Sequence, residues 1–253
     1  MTGEEYLRSL LARVRAQTGI LGIGSFIKKE LEPVLYGWGG LHIDKIEISG
    51  SYAKDTAILG LTDVDLFISL KSTTPGTLSD IYYSLGNYLK NYGYVIRWQN
   101  VSIGITHKGF KVDLVPGKRQ SFLTNDHSIY VSRRNTWTKT NVDLHISTIK
   151  GSLRCEEICI LKQWKMVHGL SVPSFLIELS TLRALKYKPY FQLEDNILDV
   201  LRFFRDDLEG AALLDPANTN NNVANDITAE EKKAITLKAF ESLNKRYWSE
   251  ILW

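Results

Sequence analysis

The amino-acid sequence predicts an α+β protein in which a mixed α/β lobe is followed by an all-helical lobe. Three observations support this fold class. Two helical patterns open the chain, a β-rich section follows between residues 45 and 116, and helical patterns dominate after about Val142. A chain that changes from mixed to helical patterns in this way is typical of a two-lobe α+β architecture.

The first lobe is predicted to open with two helices. Thr2 and Glu5 form a capping-box pattern before apolar residues at helical spacing, and a second helix covers residues 23–35. A further helix covers residues 79–93. The predicted strands are KIEISGS (45–51), TDVDLFISL (62–70), YVIRWQN (94–100), VSIGITH (101–107) and FKVDLVP (110–116). Lys108-Gly109 is predicted to form the hairpin turn between the last two strands.

Four helices are predicted in the second lobe. CEEICILKQWKMVHG ends at Gly169, and PSFLIELSTLRALKY begins after Pro173. NILDVLRFFRDDLEG carries an apolar stripe, and a long helix covers residues 228–252 behind a Thr228/Glu231 capping box. We therefore divide the chain into lobes 1–145 and 146–253.

Composition narrows the functional classes. The 253 residues are 44% hydrophobic and 23% charged, with a net charge of +3, as in an ordinary globular protein. This mild excess of basic residues allows an anionic ligand without demanding a long polyanion track. No apolar run approaches the ~20 residues of a membrane span, and the N-terminus lacks a signal-peptide pattern. We expect a soluble, cytoplasmic protein with no membrane partner, and its oligomeric state stays open.

Two aspartates at the start of an apolar strand call for an explanation. Asp63 and Asp65 lie two apart in TDVDLFISL, so a strand would turn both carboxylates to the same face. Like charges at this spacing repel each other, and a divalent cation between them makes the arrangement favourable. Asp113, inside the apolar strand FKVDLVP, adds a third carboxylate that needs a partner.

Three aspartates on neighbouring strands indicate a two-metal site for phosphoryl or nucleotidyl transfer. Asp63, Asp65 and Asp113 are the predicted metal ligands and catalytic residues, and the predicted cofactor is Mg²⁺, two ions that Mn²⁺ can replace. Taken singly, the first two can also be solvated charges at a strand end. Asp113 can also be a structural salt-bridge partner of Lys111 or Arg97.

Gly50-Ser51 supplies a place for substrate phosphates. Glycine lets the backbone come close to a ligand, and the residues after it can begin a helix whose N–H groups face an anion. The Ser51 hydroxyl adds a donor. Together with the carboxylates, this turn predicts a partner that carries phosphate groups.

These residues carry a resemblance to a known superfamily. Gly-Ser, an interval of eleven residues, Asp-x-Asp and a third Asp on a later strand resemble the DNA polymerase β-type nucleotidyltransferases. SGSYAKDT, TDVDLF and KVDLVPG are similar to archaeal-type CCA-adding enzymes, oligoadenylate synthetases and bacterial cGAS-like signalling synthases. ILKQWK and PSFLIELS resemble the helical lobe of that group, and LLDPANTNNNVAND resembles a segment near the end of oligoadenylate-synthetase-like domains. The implied fold is a polymerase β-like mixed-sheet lobe plus a helical lobe, with the active site in the cleft between them.

The resemblance also implies a reaction. A hydroxyl would attack the α-phosphate of a nucleoside triphosphate and release pyrophosphate. Asp63 and Asp65 would hold both metals, and Asp113 would hold the metal beside the attacking hydroxyl and help to remove its proton.

A set of nucleotide-binding residues follows from the same resemblance. Gly50, Ser51 and Lys54 would hold the β- and γ-phosphates. The implied residues of the helical lobe are Lys162 as its phosphate contact, Lys165 as the competing lysine one turn along, and Phe175. Phe175 stands where relatives often carry a tyrosine, so a hydroxyl is lost there.

Chain length and charge favour one product class. Archaeal-type CCA-adding enzymes carry extra domains that hold a tRNA, whereas this chain ends soon after the helical lobe and has no dense basic stripe. We expect a template-independent enzyme that makes a short linear or cyclic oligonucleotide signal in antiviral defence. The alternatives are 3′-end addition to tRNA or another RNA, and transfer of a nucleoside monophosphate to a protein or small molecule. An oligonucleotide acceptor or activator is a further partner that the sequence leaves open.

One basic and aromatic segment stands outside this constellation. Arg133, Arg134, Trp137 and Lys139 lie within seven residues and mix charge with aromatic rings, as nucleic-acid surfaces do. We place these four residues in a loop.

Overall fold

The computed structural model of the chain describes residues 2–19, 21–60 and 63–252. These residues form two compact units. The mixed unit contains Ala16–Ala57 and the residues from 63 to Ser147. The helical unit contains the residues up to Arg15, the segment Ile58–Gly60 and the residues from Thr148 onward.

Most of the helices begin and end close to their predicted bounds. They are α1 (Gly3–Val14), α2 (Ile23–Gly39), α3 (Gly50–Ala53), α4 (Leu78–Asn91), α5 (Val142–Gly151), α6 (Cys155–Val167), α7 (Ser174–Ala184), α8 (Leu193–Asp206) and α9 (Ala229–Leu243). The capping boxes predicted at Thr2 and Thr228 are confirmed, since each threonine accepts from the backbone N–H three residues on and each glutamate returns the bond. These caps supply partners to the free N–H groups of the first helical turn.

Seven strands form one sheet within the described part of the mixed unit. They are β1 (Ile43–Ile48), β2 (Val64–Leu70), β3 (Arg97–Trp98), β4 (Ile103–His107), β5 (Phe110–Arg119), β6 (His127–Val131) and β7 (Thr136–Thr140). The order is β1-β2-β5-β4-β3, with β6 beside β5 and β7 beside β6. β2 and β5 run parallel, and the other pairs are antiparallel.

The long strand β5 lies in the middle of this sheet. Its first half pairs with β4 through a hairpin whose turn residues, Lys108 and Gly109, have φ of 48° and 84°. Positive φ at both positions is the signature of the tight turn predicted there. Pro116 has no N–H to donate, and it lies between the residues that pair with β4 and those that pair with β6. The hairpin therefore fixes the register between β4 and β5, and with it the partner of Asp113 on β4.

Two parts of the predicted sheet need correction. The strand predicted over residues 94–100 is ordered as a strand only at Arg97–Trp98, because pairing with β4 stops at the turn before Ser102. The segment predicted as a loop around Trp137 is strand β7, which pairs with β6 over its whole length. Neither β6 nor β7 was predicted.

The helical unit includes the first helix, which the sequence places in lobe 1–145. α1 joins this unit because Leu7, Leu10 and Leu11 are buried in the same apolar cluster as α6 and α8. A two-stranded hairpin, β8 (Leu214–Asp215) with β9 (Asn218–Asn222), also lies here, in a lobe predicted to be all-helical.

The last predicted helix is shorter than residues 228–252. α9 ends at Leu243, and the chain then turns so that Trp248 is buried and its indole Nε1 donates to Glu194 Oε1 at 2.7 Å. No described helix combines the length and the apolar character that a membrane span requires.

Candidate functional site

The parallel pairing of β2 and β5 places two of the predicted aspartates side by side. Asp65 and Asp113 are register partners on these strands, so their side chains leave the same face of the sheet. Asp63 lies just before β2, two residues from Asp65. Its charge contributes to the raised pKa of Asp113. The structure thus places two of the predicted aspartates side by side, with the third two residues before Asp65.

Asp113 is held by polar groups from β3 and the turn that follows it. The Gln99 amide Nε2 donates to Asp113 Oδ1 at 2.8 Å, and Arg97 Nη2 lies 3.7 Å from the same oxygen. The Ser102 hydroxyl donates to Gln99 Oε1 at 2.9 Å, which orients the amide toward the carboxylate. The contact with Arg97 was one of the structural alternatives considered for this aspartate.

Burial is the main cause that raises the pKa of Asp113 above its usual range, and the charge of Asp63 adds to it. Arg97, the hydrogen bond from Gln99 and Lys111 act in the opposite direction. The carboxylate therefore stays costly to ionise in spite of its cationic neighbours, because desolvation and like charge together outweigh them.

Gly104 makes room for this arrangement. It lies opposite Asp113 in the β4–β5 pairing, and a Cβ there would stand 2.8 Å from Arg97 Nη2 and 2.9 Å from Gln99 Nε2. Sequence reasoning missed Gln99 and Ser102. The Lys108-Gly109 turn was the available signal, because residues counted outward from it pair Gly104 with Asp113. The polar segment RWQNVS then begins on the strand next to Gly104.

The Gly50-Ser51 turn lies directly against Asp65. Gly50 has φ of +57°, and a Cβ at this position would overlap the Asp65 carboxylate. The Ser49 N–H donates to the Asp65 carbonyl at 2.8 Å, which ties the turn to the strand. Ser51 and Lys54 are largely buried beside it. A glycine is required here both for the backbone angle and for the close approach.

The three predicted residues of the second lobe lie in the helical unit. Lys162, on α6, is buried and forms an ion pair with Glu178 of α7, Nζ to Oε1 at 2.8 Å. Lys165 lies one turn along, and burial, followed by the charge of Lys162, lowers its pKa. Phe175 is partly buried against the helical core in the first turn of α7. Glu178 was missed, although a carboxylate inside the apolar run FLIELS is itself a signal for a partner.

The donor set at β2 and β5 suits a hard divalent cation. Carboxylate oxygens are the ligands that Mg²⁺ prefers, and Asp65 and Asp113 share a face with Asp63 nearby. Across residues 2–19, 21–60 and 63–252, no three Asp, Glu, His or Cys side chains stand close enough to form a ready-made metal site. The residue types and their shared face fit the metal, and binding would require the carboxylates to draw together.

Comparison with solved structures identifies the fold of the chain. No protein-family model and no curated protein matches the sequence. Solved structures do match it. CdnC from E. coli MS115-1, in its complex with HORMA-deltaN, has a TM-score of 0.76 at 19% identity, covering 94% of this chain and 89% of that chain. The chain has the DNA polymerase β-type nucleotidyltransferase fold.

Other structures with the nucleotidyltransferase fold match over the same extent. The CdnE cyclic dinucleotide synthase of Elizabethkingia meningoseptica, with GTP and Apcpp, has a TM-score of 0.71 at 14% identity, covering 97% of this chain and 100% of that chain. A mutant of the Cid1 poly(U) polymerase bound to MgATP has a TM-score of 0.69 at 13% identity and 98% coverage of both chains. The predicted α+β nucleotidyltransferase fold class is confirmed.

Proposed function

We propose that this protein is a template-independent nucleotidyltransferase. It transfers a nucleoside monophosphate from a ribo- or deoxyribonucleoside triphosphate to a hydroxyl group and releases pyrophosphate. The observation that carries this proposal is the register pairing of Asp65 with Asp113, with the Gly50-Ser51 turn folded against Asp65. Structures of nucleotide-joining enzymes with the same fold support it.

Each predicted site residue of the mixed unit has a role in this proposal. The backbone and hydroxyl of Gly50 and Ser51, with Lys54 beside them, bind the terminal phosphates of the triphosphate. Asp63, Asp65 and Asp113 would hold two Mg²⁺ ions, which when bound would neutralise charge on the phosphates and lower the pKa of the attacking hydroxyl. Asp113 also accepts the proton of that hydroxyl, a role that suits a carboxylate whose pKa is raised by burial.

In the helical unit, Lys162 or Lys165 is proposed to contact the phosphates, and Phe175 the nucleotide. The ion pair with Glu178 holds the Lys162 ammonium in one place and leaves it donors for a second acceptor, since an ammonium has three. Burial and the charge of Lys162 lower the pKa of Lys165, and a phosphate bound beside it would favour its charged form.

A short linear or cyclic oligonucleotide is the proposed product. The structure of the cyclic dinucleotide synthase CdnE, which matches over its full length, supports this choice. Release of such a product as an antiviral signal in the cytoplasm is the expectation that the sequence resemblance supplies. The match to a poly(U) polymerase over 98% of both chains supports addition to an RNA 3′ end as the second candidate.

One experiment separates these candidates. The pure protein is incubated with each labelled nucleoside triphosphate and deoxynucleoside triphosphate in Mg²⁺ or Mn²⁺, first alone and then with tRNA, and the products are resolved by mass. We expect pyrophosphate and a short oligonucleotide without any added acceptor. Products that form only on RNA would favour the second candidate. No nucleotide consumption in any condition, including with added protein or small-molecule acceptors, would contradict nucleotidyl transfer.

A further inference from the structure

A pocket of the mixed unit lies on the α4 side of the sheet. Arg97 and Trp98 are consecutive in β3, so Arg97 turns toward Asp113 while Trp98 turns to the opposite face. The cavity beside Trp98 has a volume of about 350 Å³. Its lining consists of Tyr82, Tyr83, Trp98, Gln99, Asn100, Ser132 and Arg133. None of these residues carries a carboxylate, and the aromatic rings stand among amide, hydroxyl and guanidinium groups.

Two of the three aromatic rings that line this pocket are half-exposed, and the third, Tyr82, is buried. Trp98 is 46% exposed and Tyr83 is 44% exposed, with ring centroids 5.4 Å apart. The edge of the Trp98 ring packs closely against α4 because Gly86 has no side chain, and a Cβ there would overlap the indole. Exposing large aromatic surfaces to water is unfavourable, so their presence here indicates a ligand that stacks on the rings.

Hydrogen bonds hold the two loops of the pocket together. The Tyr82 hydroxyl donates to the Gln99 carbonyl at 2.6 Å, and the Ser132 hydroxyl donates to the same carbonyl at 2.9 Å. The Arg133 N–H donates to Asn100 Oδ1 at 3.2 Å. Because both loops are tied to each other and to α4, the pocket is formed before any ligand arrives, which lowers the entropic cost of binding.

Two arginines stand at its edge with their charges uncommitted. Arg133 and Arg134 are exposed, and within the described part of the chain their guanidinium groups make no ion pair or hydrogen bond. Trp137 continues the aromatic surface, since it pairs in register with Tyr130, whose ring lies 6.0 Å from that of Tyr83. Trp137 is 57% exposed. Stacking surfaces beside free guanidinium groups are complementary to bases joined by phosphates.

We propose that this pocket binds a nucleotide of single-stranded nucleic acid. The base stacks on Trp98 and Tyr83, the Asn100 side chain faces its polar edge, and Arg133 pairs with the phosphate. Trp137 and Arg134 receive the neighbouring nucleotide. A base within a duplex is already stacked and paired, so this site selects an unpaired strand. The site lies on the face of the sheet opposite to Asp113 and does not rest on the proposed transfer reaction.

Fluorescence anisotropy tests this proposal without turnover. The probes are fluorescein-labelled oligouridylate and oligothymidylate of about eight nucleotides, the length that one such surface covers. Binding is measured in EDTA over a series of salt concentrations, with uridine monophosphate and a duplex of the same length as competitors. The variants are Arg133→Ala, Trp98→Leu and Trp98→Phe. Arg183→Ala is the matched control, because Arg183 is an exposed arginine of the helical unit.

We expect Trp98→Leu to raise Kd about tenfold, Trp98→Phe to retain most of the affinity, and Arg183→Ala to change nothing, since stacking requires the ring. Arg133→Ala should weaken binding and reduce the salt slope by about 0.7, the value for one phosphate contact on a single strand. The single strand should compete more strongly than the duplex or the mononucleotide.

Equal competition by the duplex would overturn the proposal. So would unchanged affinity and salt slope in Arg133→Ala, a surface variant that decides the question even if Trp98→Leu fails to fold. A protein that binds the strand here but transfers no nucleotide would contradict only the proposed reaction.

Discussion

In the mixed unit three aspartates of like charge lie on or next to one strand pair, whereas two buried pairs of side chains in the helical unit have opposite charges. Lys162 pairs with Glu178 at 2.8 Å, and Arg154 pairs with Glu157 at 3.0 Å, all four side chains being almost fully buried. Arg154 also donates to backbone carbonyls of the loop before α8. Opposite pairs of this kind organise a core, since each charge satisfies the other.

The aspartates do not stabilise the fold by pairing with one another in this way. Asp113 has partners in Gln99 and Arg97, yet its pKa is raised, so ionising it costs free energy in the folded chain. A costly like-charge group on one sheet face is typical of a site that a ligand completes. The contrast therefore separates charges that stabilise the fold, such as Arg154 and Glu157, from charges that serve binding, and two substitutions with matched controls test it.

The largest effect is expected at the aspartate cluster. Asp113→Asn keeps the shape of the side chain but removes its charge and its capacity to accept a proton. We expect kcat for nucleotide transfer to fall by about 100-fold or more, while triphosphate affinity survives through Gly50 and Ser51. Steady-state kinetics and equilibrium nucleotide binding measure the two separately.

The control for this variant is Asp207→Asn, which neutralises an exposed aspartate at the end of α8. It should leave both kcat and affinity unchanged. An Asp113→Asn protein that turns over normally would place Asp113 with the structural charges and remove the contrast.

A second test breaks an opposite pair. Arg154→Met leaves Glu157 buried without its cationic partner and removes the hydrogen-bond donors of several backbone carbonyls. We therefore expect the free energy of unfolding to fall by about 3–5 kcal/mol. Arg202→Met is the matched control. It breaks the Arg202–Asp199 pair at 2.7 Å, in which the arginine side chain is 51% exposed, and it should cost about 1 kcal/mol or less. Denaturant unfolding measures both, and equal costs would show that burial is not what distinguishes the pairs.

The smallest effect is a pH dependence of stability. Because the folded-state pKa of Asp113 is raised, protonation favours the folded chain, and this contribution is present in full below the unfolded pKa of about 4. It is lost as pH rises through the folded pKa. Asp113→Asn carries no such titrating group, so in EDTA its Tm should rise relative to that of the parent as the pH increases above about 4.

A gain of about 2–4 °C would correspond to roughly 1 kcal/mol in a chain of this length. Thermal melts of both proteins across this pH range provide the measurement. A Tm difference that stays constant with pH would mean that Asp113 is no more costly to ionise in the folded chain than in the unfolded one.

Local rules predicted much of the fold. The capping boxes at Thr2 and Thr228 and the turn at Lys108-Gly109 depend on neighbours a few residues away, and the structure has all three. Helix α1 shows where such rules end. Its apolar stripe predicts that one face is buried, but which apolar surface covers that face is decided by packing against α6 and α8, more than 140 residues further along the chain.

The candidate site divides in the same way. The aspartates could be found because charges in an apolar strand are unusual wherever the strand lies. Gln99 could not be found by its type, since a glutamine in a polar segment is ordinary, and only the strand register brings it to Asp113. Glu178 meets Lys162 through the packing of α6 on α7, which no short-range pattern encodes.

The Lys108-Gly109 turn has a consequence for how such chains can diverge. Counting outward from it, His107 faces Phe110 and Gly104 faces Asp113. One residue inserted into or deleted from either arm of the hairpin would slip this count and turn Asp113 into the apolar layer beneath the sheet. The connection between β5 and β6 carries no such constraint, because it joins the strands beyond the residues that Asp113 needs. Length variation among related chains is therefore expected after Arg119 and forbidden between Gly104 and Asp113, and an alignment that opens a gap there misplaces the third carboxylate.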